Sequence, residues 1–313
     1  MSRYVTGTLT PVCLKCEYLN NPLGLDIRRP RLSWEMYADR RGERQTAYQV
    51  LVATSLELLE SDTGNLWDSG KVISGQSIHV EYAGAPLQSG IRCYWKARVW
   101  DVDGNSGPYS DANWWEMGLL EESEWQARWI GGTPQNIPEG KTSAPSPVFR
   151  QTFTLKQPVV SARAYICGLG YYELYLNGAK SGDHVLDPLA TRYDRRALYV
   201  THDITDMLVP GENAVGVMLG NGWYNAHTEV DWNFQTASWR ALPKMMMQIH
   251  LVFADGSRCR IISDGGWRTS TGPIVFDALR NGETYDARLE KTGWLLPGYD
   301  DSSWDPALVV PGP

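Results

Sequence analysis

The sequence predicts an all-β chain of two successive sandwiches, and three observations carry that reading. Segments alternating apolar and polar residues recur along its 313 residues, the pattern of strands with one buried face. Turn formers are plentiful, with 30 glycines and 18 prolines, as short strands joined by tight connections require. No amphipathic helical stretch longer than about two turns is present, and at ~150 residues per domain the length sets a prior of roughly two domains.

In chain order, residues 11–18 read as a strand. Residues 47–53 alternate and end at Thr54-Ser55, with Ser55 placed to cap a short helix over 55–60. Residues 94–100 set Trp95, Ala97 and Val99 on a core face and Tyr94, Lys96, Arg98 and Trp100 on the other. Residues 101–107 are a turn, and Trp114-Trp115-Glu116-Met117 opens the next strand. These segments fill a first sandwich over 12–118. Residues 119–147, acidic at first and then polar and Pro-bearing around Gly131-Gly132, read as a connector. Strands resume at 163–167, 172–176, 214–219 and 245–253, and Asn177-Gly178 and Asp255-Gly256 are hairpin turn dipeptides. A second, larger sandwich over 148–300 follows, with 301–313 as the start of a linker.

The balance of 29 basic against 36 acidic residues, a net charge of −7, lacks the cationic excess that a nucleic-acid partner demands. No run nears the ~18 apolar residues of a membrane helix, so no membrane partner is expected. Residues 1–8 lack the apolar core of a signal peptide, which makes a cytoplasmic location the expectation. The five cysteines include one close pair, Cys13 and Cys16. Strand alternation turns these to opposite faces, so they read as reduced and structural rather than as a metal or redox pair. His79, His184 and His250 lie in or beside strand-like segments and read as packing or surface residues.

Functional chemistry gathers elsewhere. The chain has 14 Trp and 16 Tyr but 5 Phe, and Trp and Tyr combine a flat apolar face with a polar tip suited to stacking on sugars. The long turn-rich stretch 220–239, between two strands, supplies Asn221, Trp223, Tyr224, Asn225, His227, Asp231, Trp232, Asn233 and Trp239. Amides and carboxylates there would meet hydroxyls while the rings meet C–H groups. The sugar-binding candidates are Asn221, Trp223, Tyr224, Asp231, Trp232 and Trp239. The competing reading makes Trp223 a core residue beneath the loop.

The chain also carries a series of ordered motifs. The first half has Leu23-Gly24-Leu25-Asp26, Pro30-Arg31-Leu32-Ser33-Trp34, Gln45-Thr46-Ala47-Tyr48-Gln49-Val50, Leu66-Trp67-Asp68-Ser69-Gly70-Lys71-Val72 and Trp115-Glu116-Met117-Gly118. The second has Trp125-Gln126-Ala127-Arg128-Trp129-Ile130, Gly220-Asn221-Gly222-Trp223-Tyr224, Gly282-Glu283-Thr284-Tyr285-Asp286-Ala287-Arg288 and Tyr299-Asp300-Asp301-Ser302-Ser303-Trp304. In this order the runs resemble the N-terminal half of bacterial α-L-rhamnosidases of glycoside hydrolase family 78.

The resemblance implies a fibronectin type III-like sandwich followed by a jelly-roll domain, with the catalytic (α/α)6 barrel later in the chain. The sequence is therefore expected to be a non-catalytic fragment without catalytic residues of its own. Its parent would hydrolyse terminal α-L-rhamnosides with inversion, and the fragment would support the barrel, bind rhamnose, or both. Glu283 and Asp286 stand in one of the motifs, but Asp286 with Arg288 reads as a structural ion pair. Some relatives' jelly rolls hold rhamnose through calcium, on an Asp-Asn pair ahead of an aromatic. The comparable run here, Tyr193-Asp194-Arg195-Arg196, adds Asp194 to the sugar-binding candidates as the matching calcium ligand but puts Arg195 where the amide would be. A guanidinium has no lone pair to give a cation and repels one, so no cofactor is expected and calcium at Asp194 is the disfavoured alternative. The expected partners are the barrel and rhamnose-containing glycans, and the barrel's docking face should show as an exposed apolar patch. A stand-alone carbohydrate-binding module for such glycans is the alternative, and a purely structural tandem sandwich the third.

Overall fold

Strand follows strand along nearly the whole chain. The computed structural model describes residues 8–133, 144–229 and 232–313, which divide into units of residues 1–125 and 126–313. The first unit contains β1 (Thr10–Cys16), β2 (Leu23–Leu25), β3 (Arg31–Tyr37), β4 (Ala47–Ala53), β5 (Trp67–Asp68), β6 (Val72–Ile73), β7 (Val80–Glu81), β8 (Arg92–Trp100) and β9 (Asn113–Met117). One sheet runs β1-β3-β7 and the other β2-β9-β8-β4-β5, with β6 also on β4.

The alternation in β8 places its residues as the sequence predicts. Trp95, Ala97 and Val99 join Leu32, Trp34, Val50, Val52 and Trp115 in one core. On the other face Lys96 and Arg98 lie 4.4 and 4.7 Å from the ring of Tyr109, and Lys96 pairs with Asp62, so its stem is covered while its charge is met. Ser55 caps α1 (Leu56–Glu60), its hydroxyl accepting from Leu58 N at 3.4 Å. Cys13 sits at φ +51°, exposed at a register shift in β1, whereas Cys16 is buried. The two thiols thus point apart, and burial pushes that of Cys16 well above the ordinary thiol range.

The second unit contains β10 (Ile130–Gly131), β11 (Pro147–Leu155), β12 (Val159–Leu169), β13 (Tyr171–Leu176), β14 (Ala179–Lys180), β15 (Val200–Asp203), β16 (Gly211–Gly220), β17 (Lys244–Phe253), β18 (Arg258–Ile262), β19 (Arg268–Thr271), β20 (Ile274–Ala278), β21 (Gly282–Tyr285), β22 (Asp305–Pro306) and β23 (Leu308–Val309). One sheet runs β15-β12-β17-β10-β23, with β18 on β17, and the other β14-β13-β16-β11-β19-β22; β20 and β21 form a separate ribbon. Phe149, Leu174, Val215 and Val217 of one sheet meet Ile166, Met247 and Ile249 of the other around Trp267. Asn177 and Gly178, at φ +50° and +88°, make the two-residue turn between β13 and β14.

Two stretches differ from the sequence expectation. The connector read over 119–147 contributes β10, which lies between β17 and β23, and residues 134–143 of it lie outside the described residues. The linker read over 301–313 contributes β22 and β23, one to each sheet. Two-residue strands show no alternation, so their sequences look like loop.

A buried cation fastens this tail. Arg150 is 1% exposed. Its Nε and one terminal nitrogen each donate at 2.8 Å, to the carbonyls of Trp294 and Leu296, and the other terminal nitrogen pairs with Asp301. Trp294 and Trp304 then pack on Val148. Replacing one partner of such a pair strands the others. Arg150→Met should lower unfolding stability by about 3 kcal/mol in urea; a loss within ~0.5 kcal/mol, the range of ordinary surface substitutions, would contradict the role assigned to the guanidinium.

His202 is buried with Tyr172 Oη 2.8 Å from its Nε2 and Ser181 Oγ 3.2 Å from its Nδ1. Burial first, and the neighbouring His184 second, lower its pKa to about 4. An unfolded histidine titrates near 6.5, so the unfolded chain binds the proton first and stability falls as pH drops from about 7 towards 4. The contribution is about 3 kcal/mol at ~1.4 kcal/mol per unit. Urea melts across that range should show His202→Gln with a shallower pH dependence than the parent. Parallel curves would contradict a neutral buried imidazole.

Candidate functional site

The stretch that leaves β16 is tied down at its first residue. The backbone N–H of Asn221 donates to Asp277 Oδ1 at 2.8 Å, and its side-chain amide donates to Asp277 Oδ2, also at 2.8 Å. Asn225 Nδ2 in turn donates to Asn221 Oδ1 at 2.6 Å. The chain passes so closely here that a Cβ on Gly170 would lie 2.1 Å from the Asn221 carbonyl. Both asparagines are 2% exposed. Their amides are consumed in shaping the loop and do not face a ligand, which corrects the sequence reading of Asn221.

Tyr224 is corrected likewise. It is 1% exposed and packs with Cys167, Leu169 and Tyr193 as the floor of the loop, where burial pushes its phenol up to about 12. Above that floor the three candidate tryptophans come together. Trp223 stacks parallel to Trp232 with ring centroids 5.6 Å apart and 3° between planes. Phe234 meets Trp223 edge-on at 5.4 Å and Trp239 at 6.2 Å. Trp232, at φ +50° and 69% exposed, has the Arg280 guanidinium 4.4 Å from its ring.

These rings enclose a cavity of about 300 Å³ lined by Ala190, Thr191, Tyr193, Trp223, Trp232, Phe234 and Trp239. The half-buried Trp223 is therefore neither a core residue nor a bare platform but one wall. Two lining side chains carry unspent polar atoms: Tyr193 Oη and Trp239 Nε1 are buried without a hydrogen-bond partner. His227 Nε2, Gln235 Oε1 and Arg240 Nε, on the same loop, are unpartnered as well. A buried donor without a partner costs about 1–3 kcal/mol. Burial also drives the Tyr193 phenol far above its ordinary range, so it stays protonated and able to donate.

Of the remaining candidates, Asp231 lies outside the described residues. Asp194 is engaged by Arg192 at 2.9 and 3.0 Å, with Arg195 Nε 4.0 Å away. The guanidinium of Arg192 holds its carboxyl below the usual range. Asp286 caps the turn after β21, accepting from Arg288 N at 3.1 Å and from the Arg288 guanidinium at 2.8 and 2.6 Å. Tyr193 and Phe234 were not legible as site residues. Tyr193 comes from a different segment, and Phe234 lies in the same stretch without a polar tip to mark it.

Two larger clefts exist. One of about 570 Å³ in the second unit borders Tyr171, Glu173, Leu186, Asp277 and Glu283. The other, of about 630 Å³ in the first unit, lies beside β1 and residues 108–113. Among the described residues the former is lined by no orphaned polar atom and the latter by one, Thr10 Oγ1. Of the three, the smaller cavity is thus the one lined by tryptophan faces.

Comparison with known proteins bears on what such a chain belongs to. The family profile described as "Alpha-L-rhamnosidase N-terminal domain" matches residues 157–313, and one described as "Rha78A-like, N-terminal immunoglobulin domain" matches 11–121. An α-L-rhamnosidase of Formosa agariphila is 40% identical over 306 residues, covering 91% of this chain and 32% of the relative. The structure of α-L-rhamnosidase from Dictyoglumus thermophilum superposes with a TM-score of 0.88 at 39% identity, over 97% of this chain and 34% of that one. The Streptomyces avermitilis α-L-rhamnosidase complexed with L-rhamnose gives 0.89 at 27% identity, over 97% of this chain and 45% of that one. The chain spans about a third of the length of the curated relatives it matches. With one profile matching half of it and a second matching most of the remainder, the chain belongs to the α-L-rhamnosidase family, of which it represents the N-terminal β-rich domains.

Proposed function

We propose that this chain is the non-catalytic N-terminal region of an α-L-rhamnosidase, that it supports a catalytic barrel, and that its aromatic cavity binds a rhamnosyl unit of a glycan. The observation that carries the binding role is the gathering of the Trp223, Trp232 and Trp239 rings around one cavity. The apolar face of a pyranose stacks on indole. A volume of about 300 Å³ sits at the small end of ligand pockets, ~300–1,000 Å³, as suits a monosaccharide unit rather than a chain.

Glycoside hydrolysis needs two carboxyl groups facing each other across the scissile bond. Of the two acids in the 282–288 motif, Asp286 is occupied by Arg288, so the chemistry is assigned to the barrel. Support for a partner domain comes from one short segment on which Val185, Leu186 and Leu189 are 71, 62 and 74% exposed. Neighbouring large apolar side chains left open to water mark contact surfaces.

Calorimetric titration with L-rhamnose should show saturable heat at millimolar sugar. Trp223→Ala should weaken binding more than tenfold with the melting temperature of the second unit little changed. The chain alone should release no nitrophenol from an aryl α-L-rhamnoside. Absence of heat at millimolar sugar, or binding indifferent to Trp223→Ala, would overturn the binding role, and turnover by the chain alone would overturn its non-catalytic assignment.

A further inference from the structure

We propose that residues 181–189 form an acid-released strap: a neutral His202 seats the strap on the second sandwich, and protonation of that imidazole frees it together with the apolar side chains it presents. The inference concerns the seat of the strap and stands apart from any sugar in the aromatic cavity.

Residues 182–186 are exposed throughout, so little packing of their own holds them. The strap is fastened near its two ends, and both fastenings converge on one imidazole. At the first, the Ser181 N–H donates to the Leu174 carbonyl at 2.8 Å, and Ser181 Oγ lies 3.2 Å from His202 Nδ1. At the second, the Tyr172 N–H donates to the Asp187 carbonyl at 3.0 Å, and the hydroxyl of the same tyrosine lies 2.8 Å from His202 Nε2. Between them the His184 ring has its centroid 5.9 Å from that of His202. The strap carries Val185, Leu186 and Leu189 on its open side, and the first two also wall the cleft of about 570 Å³.

The surroundings of His202 suit an uncharged ring. The titratable groups facing it are Tyr172 from β13 and His184 and Asp187 from the strap, and its cross-strand neighbour on β12 is Ala164. Burial holds the Tyr172 phenol far above its ordinary range, and the nearby Cys167 thiol is pushed up to about 12, so both stay neutral. Asp187 turns its Oδ2 to His184 Nδ1 at 2.7 Å, which leaves the one neighbouring acid already engaged. A charge buried without a partner of its own is costly. The seated ring therefore takes up a proton only near pH 4, whereas a ring released to water does so near 6.5. The released state binds the proton first, so the seat is intact above about pH 7 and weakens as pH falls towards 4.

Residue-resolved amide exchange of the ¹⁵N-labelled whole chain tests this at Ser181 and Tyr172, whose N–H groups close the two ends of the strap. Corrected for intrinsic rates, their protection should fall about twentyfold from pH 7 to pH 5, while amides of β16 remain more protected at both. His202→Gln, which can still bond both hydroxyls but does not titrate, should flatten the fall, and His184→Asn should leave it in place. Protection independent of pH would overturn the proposal. So would Ser181, Tyr172 and β16 exchanging at one common rate, which is acid unfolding of the whole unit. A fall that vanishes in His184→Asn would overturn it too, by moving the switch to the surface histidine. The parent chain and His184→Asn decide between these outcomes even where His202→Gln does not fold.

Discussion

The carboxylate of Asp277 is the constraint on which the functional end of the second unit depends. It stands on β20 and receives the backbone and side-chain N–H groups of Asn221, just past β16, and the hydroxyl of Ser146, just before β11. Because β11 and β16 are neighbours in one sheet, a single acid stitches the ribbon to both and fixes the direction in which the loop leaves. Hydrogen bonds to a charged acceptor are about twice as strong as neutral ones, and here they serve donors that are otherwise buried. The loop is thus anchored at its root, and its tryptophans inherit that position.

Above the anchor, packing takes over. Tyr224 and Tyr193 meet edge-on at 5.3 Å within a small cluster separate from the main sandwich core. The rings beneath the loop and those that line the cavity are therefore two sets that share Tyr193, and Trp232 is left open to solvent. This division explains how one loop both packs and presents. Its amides hold the backbone, Tyr224 joins the floor, and Trp223 and Trp239 face the space between.

Much of this was legible in the residues. The period-two pattern of 94–100 placed Trp95, Ala97 and Val99 in the core, and Asn177-Gly178 marked its hairpin, because both signals are local. The ordered motifs made the family legible across both units. The very short strands β10, β22 and β23 were not, since two residues carry no period. Within the loop, residue type does not show how each polar group is used. Asparagine suits a sugar hydroxyl and a backbone anchor equally, and the partner that decides between them, Asp277, lies 56 residues from Asn221. Tyr193 escaped notice for the same reason, entering the cavity from a segment that the sequence does not link to it. Asp194 illustrates the same limit: the sequence draws attention to its neighbour Arg195, but the residue that engages the carboxylate is Arg192.

The central claim is that the cavity between Trp223 and Trp239 is a sugar site. The most direct test is the indole N–H spectrum of the ¹⁵N-labelled chain during titration with L-rhamnose, with the Trp239 resonance assigned from Trp239→Phe. The account predicts saturable movement of the Trp223 and Trp239 resonances, and stationary signals for Trp95 and Trp115, which are sealed in the core of the first unit. A Trp239 resonance that stays fixed while sugar is added to tens of millimolar would contradict it.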